Sequence, residues 1–174
     1  MIAPAVHVHV APVTAAMSVA VDALQVRPDQ VAYVGVPAFN LASARADPLS
    51  EAMAVLADDQ VIGFYRLDFA PNAIIGRDLG APTVGLRAFL IDSRHQRHGY
   101  GARATAALCA DIEQRYPERR LLILLVHCRN QAGLATYRRS GFINTGSLLA
   151  GGRAGPQYLM LRALGATAAG RVGQ

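Results

Sequence analysis

A glycine-bearing loop, Gln96-Arg97-His98-Gly99-Tyr100-Gly101, stands between an apolar strand-like run, Val84 to Ile91, and a helix-like run, Ala102 to Tyr116. A turn of this kind aims the backbone N–H groups of a helix N-terminus at one spot. The unpaired N–H groups and the helix dipole both favour negative charge there. The chain must therefore alternate strand and helix about this turn, and the turn predicts a phosphate-bearing ligand. Alone, a Gln-x-x-Gly-x-Gly pattern says no more than that.

The rest of the chain sets bounds. With 174 residues, 52% of them apolar and 17% charged, it is long enough for one domain with a sizeable core and too apolar for disorder. The expected boundaries are a single domain over residues 1–165 and an Ala/Gly-rich tail over 166–174. No run of about 18 uncharged apolar residues predicts a membrane span, and no basic region precedes an apolar stretch at the N-terminus. Cys109 and Cys128 form no Cys-x-x-Cys pair and read as free thiols in a reducing cytoplasm. The net charge of +5 rests on arginine, since the chain has no lysine, a usage that fits a GC-rich bacterial genome. The arginines are scattered and not interleaved with aromatic residues, so a nucleic-acid partner is not expected. His7 and His9 alternate with valine on a short strand, but no third ligand accompanies them, and no metal is expected.

Periodicity orders the elements as β-α-(α)-β-β-β-α-β-α-β-β. Ala5 to Val10 reads as a strand and Pro12 to Leu24 as a helix. Arg27 to Asn40, rich in turn residues, reads as a short helix and a loop. Glu51 to Ala57 and Val61 to Phe69 read as a hairpin about Asp58-Asp59-Gln60, followed by a loop over Pro71 to Pro82 and a strand over Thr83 to Ile91. Thr105, Cys109, Ile112 and Tyr116 form the apolar stripe of the next helix, which Pro117 stops. Leu121 to Val126 reads as a strand covered on both faces. Asn130 is a good N-cap for Gln131 to Ser140, with Gly141 beyond its end. Ile143 to Leu149 and Gln157 to Leu164 close the sheet about the Gly151 to Pro156 turn. Hairpins mixed with helix crossovers predict a mixed sheet in an α/β (α+β) fold.

The loop acquires a partner about thirty residues on: Asn130-Gln131-Ala132-Gly133-Leu134-Ala135-Thr136-Tyr137, then Gly141-Phe142. With Gln96, Gly99 and Gly101 in one segment and Asn130, Tyr137, Gly141 and Phe142 in the other, the chain resembles the GCN5-related N-acetyltransferase (GNAT) family. Gly133 departs from the family's usual Ala or Ser. Phe64 to Asp68, Phe89 to Asp92 and the Gly-rich last hairpin look more narrowly like the diamine or polyamine acetyltransferases. The resemblance implies a mixed, mostly antiparallel sheet of six to seven strands flanked by about four helices, with the fourth and fifth strands splayed around a cofactor cleft. It implies acetyl-CoA as cosubstrate, a small-molecule amine as acceptor, and a homodimer as a common assembly.

Carried onto this sequence, the resemblance places the CoA pyrophosphate on the amides of Arg97, His98, Gly99, Tyr100, Gly101 and Ala102, with Gln96 at the start of the loop. The pantetheine arm lies along the edge of Phe89, Leu90 and Ile91, where a backbone N–H also stabilises an oxyanion. Asn130 contacts the arm, and Tyr137 protonates the departing thiolate. The family's glutamate base has no counterpart between Val84 and Ile91; the candidates here are His127 and Asp68, with a water chain as the alternative. The reading is N-acetyl transfer by direct attack of a small amine, diamine or polyamine. Aminoglycosides, amino acids and protein N-termini stay open as acceptors, and an acyl-CoA sensor without turnover stays open as a rival.

Overall fold

The structure is a computed structural model and describes residues 5–152 and 154–165. Seven strands form one sheet: β1 (Val8–Pro12), β2 (Ser50–Ala57), β3 (Gln60–Asp68), β4 (Thr83–Ile91), β5 (Leu121–His127), β6 (Ile143–Gly152) and β7 (Gly155–Ala163). Their order is β1-β2-β3-β4-β5-β7-β6. All neighbours run antiparallel except β4 and β5, which are parallel. The tail expected at 166–174, and Arg153 in the last turn, lie outside the described residues.

One face of the sheet is covered by α4 (Tyr100–Arg115) and α5 (Gln131–Arg139). The stripe of α4 turns its apolar side inward, with Leu108 and Ile112 wholly buried against Met53, Tyr65, Leu67 and Leu122. Each such side chain contributes about 1.5–3 kcal/mol by leaving water. The opposite face carries α1 (Ser18–Asp22), the single turn α2 (Val31–Val34) and α3 (Pro37–Ala46), around Val21, Leu24, Leu41, Phe64 and Leu90.

The expected helix over Pro12 to Leu24 shrinks to a 3-10 turn (Ala15–Met17) and α1, because β1 runs on to Pro12 and pairs it with Met53. The expected loop up to Asn40 instead contains the start of α3, opened by Pro37 in its first turn, a position where proline's missing N–H costs nothing. The Asp58–Asp59 turn closes β2 onto β3, with Ala57 opposite Gln60.

Two irregularities shape the centre. Between Arg87 and Leu90, two residues of β4 face the single Tyr65 of β3, and Ala88 takes φ 52°. This is a β-bulge, which bends the strand and re-aims its side chains. β4 then parts from β5: the parallel seam holds only Thr83 with Leu121, Val84 with Leu122 and Gly85 with Ile123. Past Gly85, the β4 edge facing β5 has no ladder partner.

Candidate active site

The sequence loop forms as read, between the end of β4 and the start of α4. Its conformation is left-handed at two positions, Arg97 (φ 65°) and Gly99 (φ 75°). Such alternation gathers successive N–H groups into a concave nest for an anion. No side chain caps α4, so the amides of its first turn (Tyr100, Gly101, Ala102) point outward unclaimed. Gly101 is not required by the backbone: a Cβ there would come no closer than 3.8 Å, to Thr136. Gly101 and Thr136 both line the groove beside the α4 amides, so a side chain there would take up groove space, and its absence fits a phosphate group seated on those amides.

Gln96 holds the loop in place. Its Nε2 donates to the Ile91 carbonyl (2.9 Å) and to Gln30 Oε1 (2.8 Å), while Gln30 Nε2 donates back to Gln96 Oε1 (3.2 Å). Beside it, the buried Asp92 accepts from the N–H of Gln25 (2.9 Å) and of Arg94 (2.9 Å) and pairs with the Arg94 guanidinium (2.8 Å). Burial works to raise the Asp92 pKa, but the hydrogen bonds from Arg94 and Gln25 outweigh it and hold it at about 2.

A groove of about 610 Å³ runs from this loop along the free edge of β4. Phe89, Leu90, Ile91, Gln96, Arg97, Gly99, Tyr100, Gly101 and Ala102 all line it, as do Asn130 and Tyr137. His98 does not; its Nδ1 lies 3.3 Å from the His95 carbonyl and its ring stacks on Tyr100. Arg103 turns to Tyr100 and the Val6 carbonyl. Three further arginines, Arg27, Arg129 and Arg139, line the groove, and among the described lining residues Asp29 is the one carboxylate opposing them. Nothing in local spacing marks them, because they come from a loop, a strand exit and a helix end that meet only in the fold.

A second cavity, about 450 Å³, opens on the other side of the bulge. It shares Tyr33, Val34, Phe89, Asn130 and Tyr137 with the groove. Tyr137 thus stands where the two spaces meet. Its ring is flanked by Phe89 (6.2 Å) and Phe142 (5.4 Å), and burial pushes its hydroxyl pKa upward, so it stays protonated at neutral pH. Asn130 caps α5 through Oδ1, which accepts from the Gly133 N–H (3.0 Å). A Cβ at Gly133 would fall 2.7 Å from Asn130 Nδ2, so glycine at this position lets the cap sit as it does.

The two base candidates are placed differently. His127 lines the cavity, but its Nδ1 accepts from the Arg129 N–H (3.1 Å) and its Nε2 meets the Ala154 carbonyl, leaving no free lone pair on the ring. Asp68 is buried outside the lining, accepting from the Ala70 N–H (3.2 Å) and pairing with Arg87 (3.2 Å). His7, just before β1, stacks on His9 within it, and no three metal-ligating side chains gather among the described residues. Cys109 and Cys128 are free, and burial pushes the Cys109 thiol up to about 11.

A split β4–β5 pair, a nest at the head of α4 and a half-buried tyrosine between two spaces together define an acyl-CoA-using transferase. The acetyltransferase (GNAT) family model matches residues 21–142, and the chain belongs to that family. Its class is that of the acyl-CoA-dependent N-acetyltransferases, with acetyl-CoA as cosubstrate. No curated protein matches the chain by sequence. Among solved structures, AAC(6')-Ib in complex with paromomycin and acetyl-CoA is similar over 96% of this chain and 99% of its own, at 16% identity and a TM-score of 0.76. The GNAT domain of PAT from S. lividans is 18% identical over 89% of each chain, with a TM-score of 0.68. A protein from Bacillus halodurans is 14% identical over 90% of this chain and 83% of its own, with a TM-score of 0.73. These likenesses establish the fold as the GNAT fold with its seven-stranded sheet.

Proposed function

We propose that the protein transfers an acetyl group from acetyl-CoA to a small primary amine by direct attack, with Tyr137 as the proton donor to the leaving sulfur. The observation that carries this is the position of Tyr137, protonated and shared by groove and cavity. Acetyl-CoA supplies the acetyl group as a thioester. The amides of Tyr100, Gly101 and Ala102, with Arg97 and the groove arginines, hold the pyrophosphate. The free edge of β4 takes the arm as an added strand, and Asn130 borders it.

The cavity beyond Phe89 receives the acceptor. Among the described residues no carboxylate lines it, and His127 has no lone pair to spare, so neither Asp68 nor His127 serves as base in this reading. The amine gives up its proton to solvent before it attacks. A diamine or polyamine acceptor, or an aminoglycoside, finds no counter-charge among the lining residues. A homodimer through the exposed edge strand β6 accords with the family's habit, and sedimentation would test it. No described helix is long and apolar enough to cross a membrane.

The test is CoA release across a panel of amines, with Tyr137→Phe beside the wild type. The expected result is turnover with at least one amine, a fall in kcat of roughly 10²-fold or more in the variant, and an unchanged KM for acetyl-CoA. Acetyl-CoA binding with no turnover for any amine would favour a sensor instead.

A further inference from the structure

We infer that the acceptor amine carries an anionic group, a carboxylate, and that the Arg87 guanidinium recognises it; this deepens the N-acetyltransferase reading and rests on it. The register of β3 and β4 sets Arg66 directly opposite Arg87. Residues in that relation share a face, and like charges so placed repel. Both side chains line the acceptor cavity, and among the described residues no Asp or Glu lines it with them.

The fold offsets the repulsion from behind. Arg66 pairs with Asp47 (2.8 Å) and donates to Ser43 and Ser50, which uses all three of its nitrogens. Arg87 is treated differently. Its Nε faces the buried Asp68 (3.2 Å) and its Nη2 donates to the Ala73 carbonyl, while Nη1 has no hydrogen-bond partner among the described residues. The Arg87 side chain is 42% exposed. The supporting carboxylates stand outside the lining, so an incoming ligand meets the guanidiniums first.

An arginine tied down on one edge, with donors left open on another, is oriented in advance for a carboxylate. The Ser43 hydroxyl accepts from Arg66 Nη1 (3.0 Å) and keeps its own hydrogen to donate beside it. The bulge at Ala88 puts Arg87 just before, and Phe89 just after, the point where the strand changes face. One strand thus offers the anion site to the cavity and the wall of Tyr137 to the groove. An acceptor with several ammonium groups would bring cations against this surface.

The experiment measures CoA release by the wild-type chain with matched acceptors: an α-amino acid, its carboxamide, a diamine, an aminoglycoside and an aminoalkyl phosphate. The amino acid is expected to exceed its carboxamide at least tenfold in kcat/KM. Arg87→Gln should raise the amino acid's KM at least tenfold while leaving the carboxamide's KM and that of acetyl-CoA within twofold. Arg87→Gln with Asp68→Asn stands in where the single variant, with Asp68 unpaired, does not fold. Equal or better turnover of the carboxamide, diamine or aminoglycoside overturns the inference and leaves the transferase reading intact. Preference for the phosphate overturns the carboxylate assignment. Release of CoA with no acceptor at all overturns the transferase reading and the inference with it.

Discussion

Gly101 sits in the first turn of a helix where alanine would hold the backbone better. The nearest atom to an added Cβ is 3.8 Å away, so Gly101→Ala should stabilise the free protein by up to about 1 kcal/mol. It should also weaken CoA binding about tenfold or more, because the methyl group would enter the groove that Gly101 lines. A melting curve without ligand and a binding isotherm for CoA check both arms, and a variant that binds CoA normally would remove Gly101 from the phosphate site. Gly133 is the reverse case. There a Cβ would collide with the Asn130 cap at 2.7 Å, and the glycine serves the fold. Two glycines 32 residues apart, each in the first turn of its helix, thus look alike in sequence and differ in cause.

At the scale of elements, the loop after β4 is secured by Asp92 as much as by its glycines. The folded pKa of Asp92, about 2, lies below the ordinary aspartate value near 3.9. A depressed carboxylate pKa means that its contribution is present above the unfolded value and is lost as pH falls through the folded one. The contribution is roughly 2 kcal/mol. Wild-type stability should therefore decline between about pH 4 and pH 2 by that amount, and Asp92→Asn, already less stable at neutral pH, should not show this decline; urea midpoints against pH would decide it.

β4 itself was legible to the residue, since a mostly apolar run, interrupted only by Arg87 and bounded by Pro82 and Asp92, has only one good ending on each side. The nest, the Asn130 cap and Gly141 at the end of α5 (φ 85°) were legible too, because each is a local backbone demand. α3 was not, as Gly35, Pro37 and Asn40 read as turn residues, while only Leu41 and Ala44 mark a buried face beyond them. The bulge was invisible for another reason. It exists only in the pairing of Ala88 and Phe89 against Tyr65, on a strand distant in sequence. Gln30, which clasps Gln96, and the groove arginines share that limitation.

For the molecule as a whole, the missing carboxylate in the acceptor cavity governs how rate follows pH. On the proposed reading, in which no described residue of the cavity acts as base, kcat/KM for the acceptor should rise tenfold per pH unit until the amine's own pKa. Two acceptors of different basicity should then level off at different pH values. A shared plateau would reveal a titrating group on the chain. Tyr137, with its pKa pushed upward, adds no rising limb of its own, since it is already protonated throughout.

The parting of β4 from β5 has a consequence for the order of assembly. Strands β1 to β4 pair in unbroken antiparallel succession and are complete by Ile91, while β5, β7 and β6 all come later in the chain. Each side of the split is therefore made from its own stretch of polypeptide, and only the three-pair seam joins them within the sheet. During synthesis, with the N-terminal part emerging first, the wall that carries Arg87 and Phe89 can form before the wall that faces it has been made. The cleft is then the join between an early and a late product of translation.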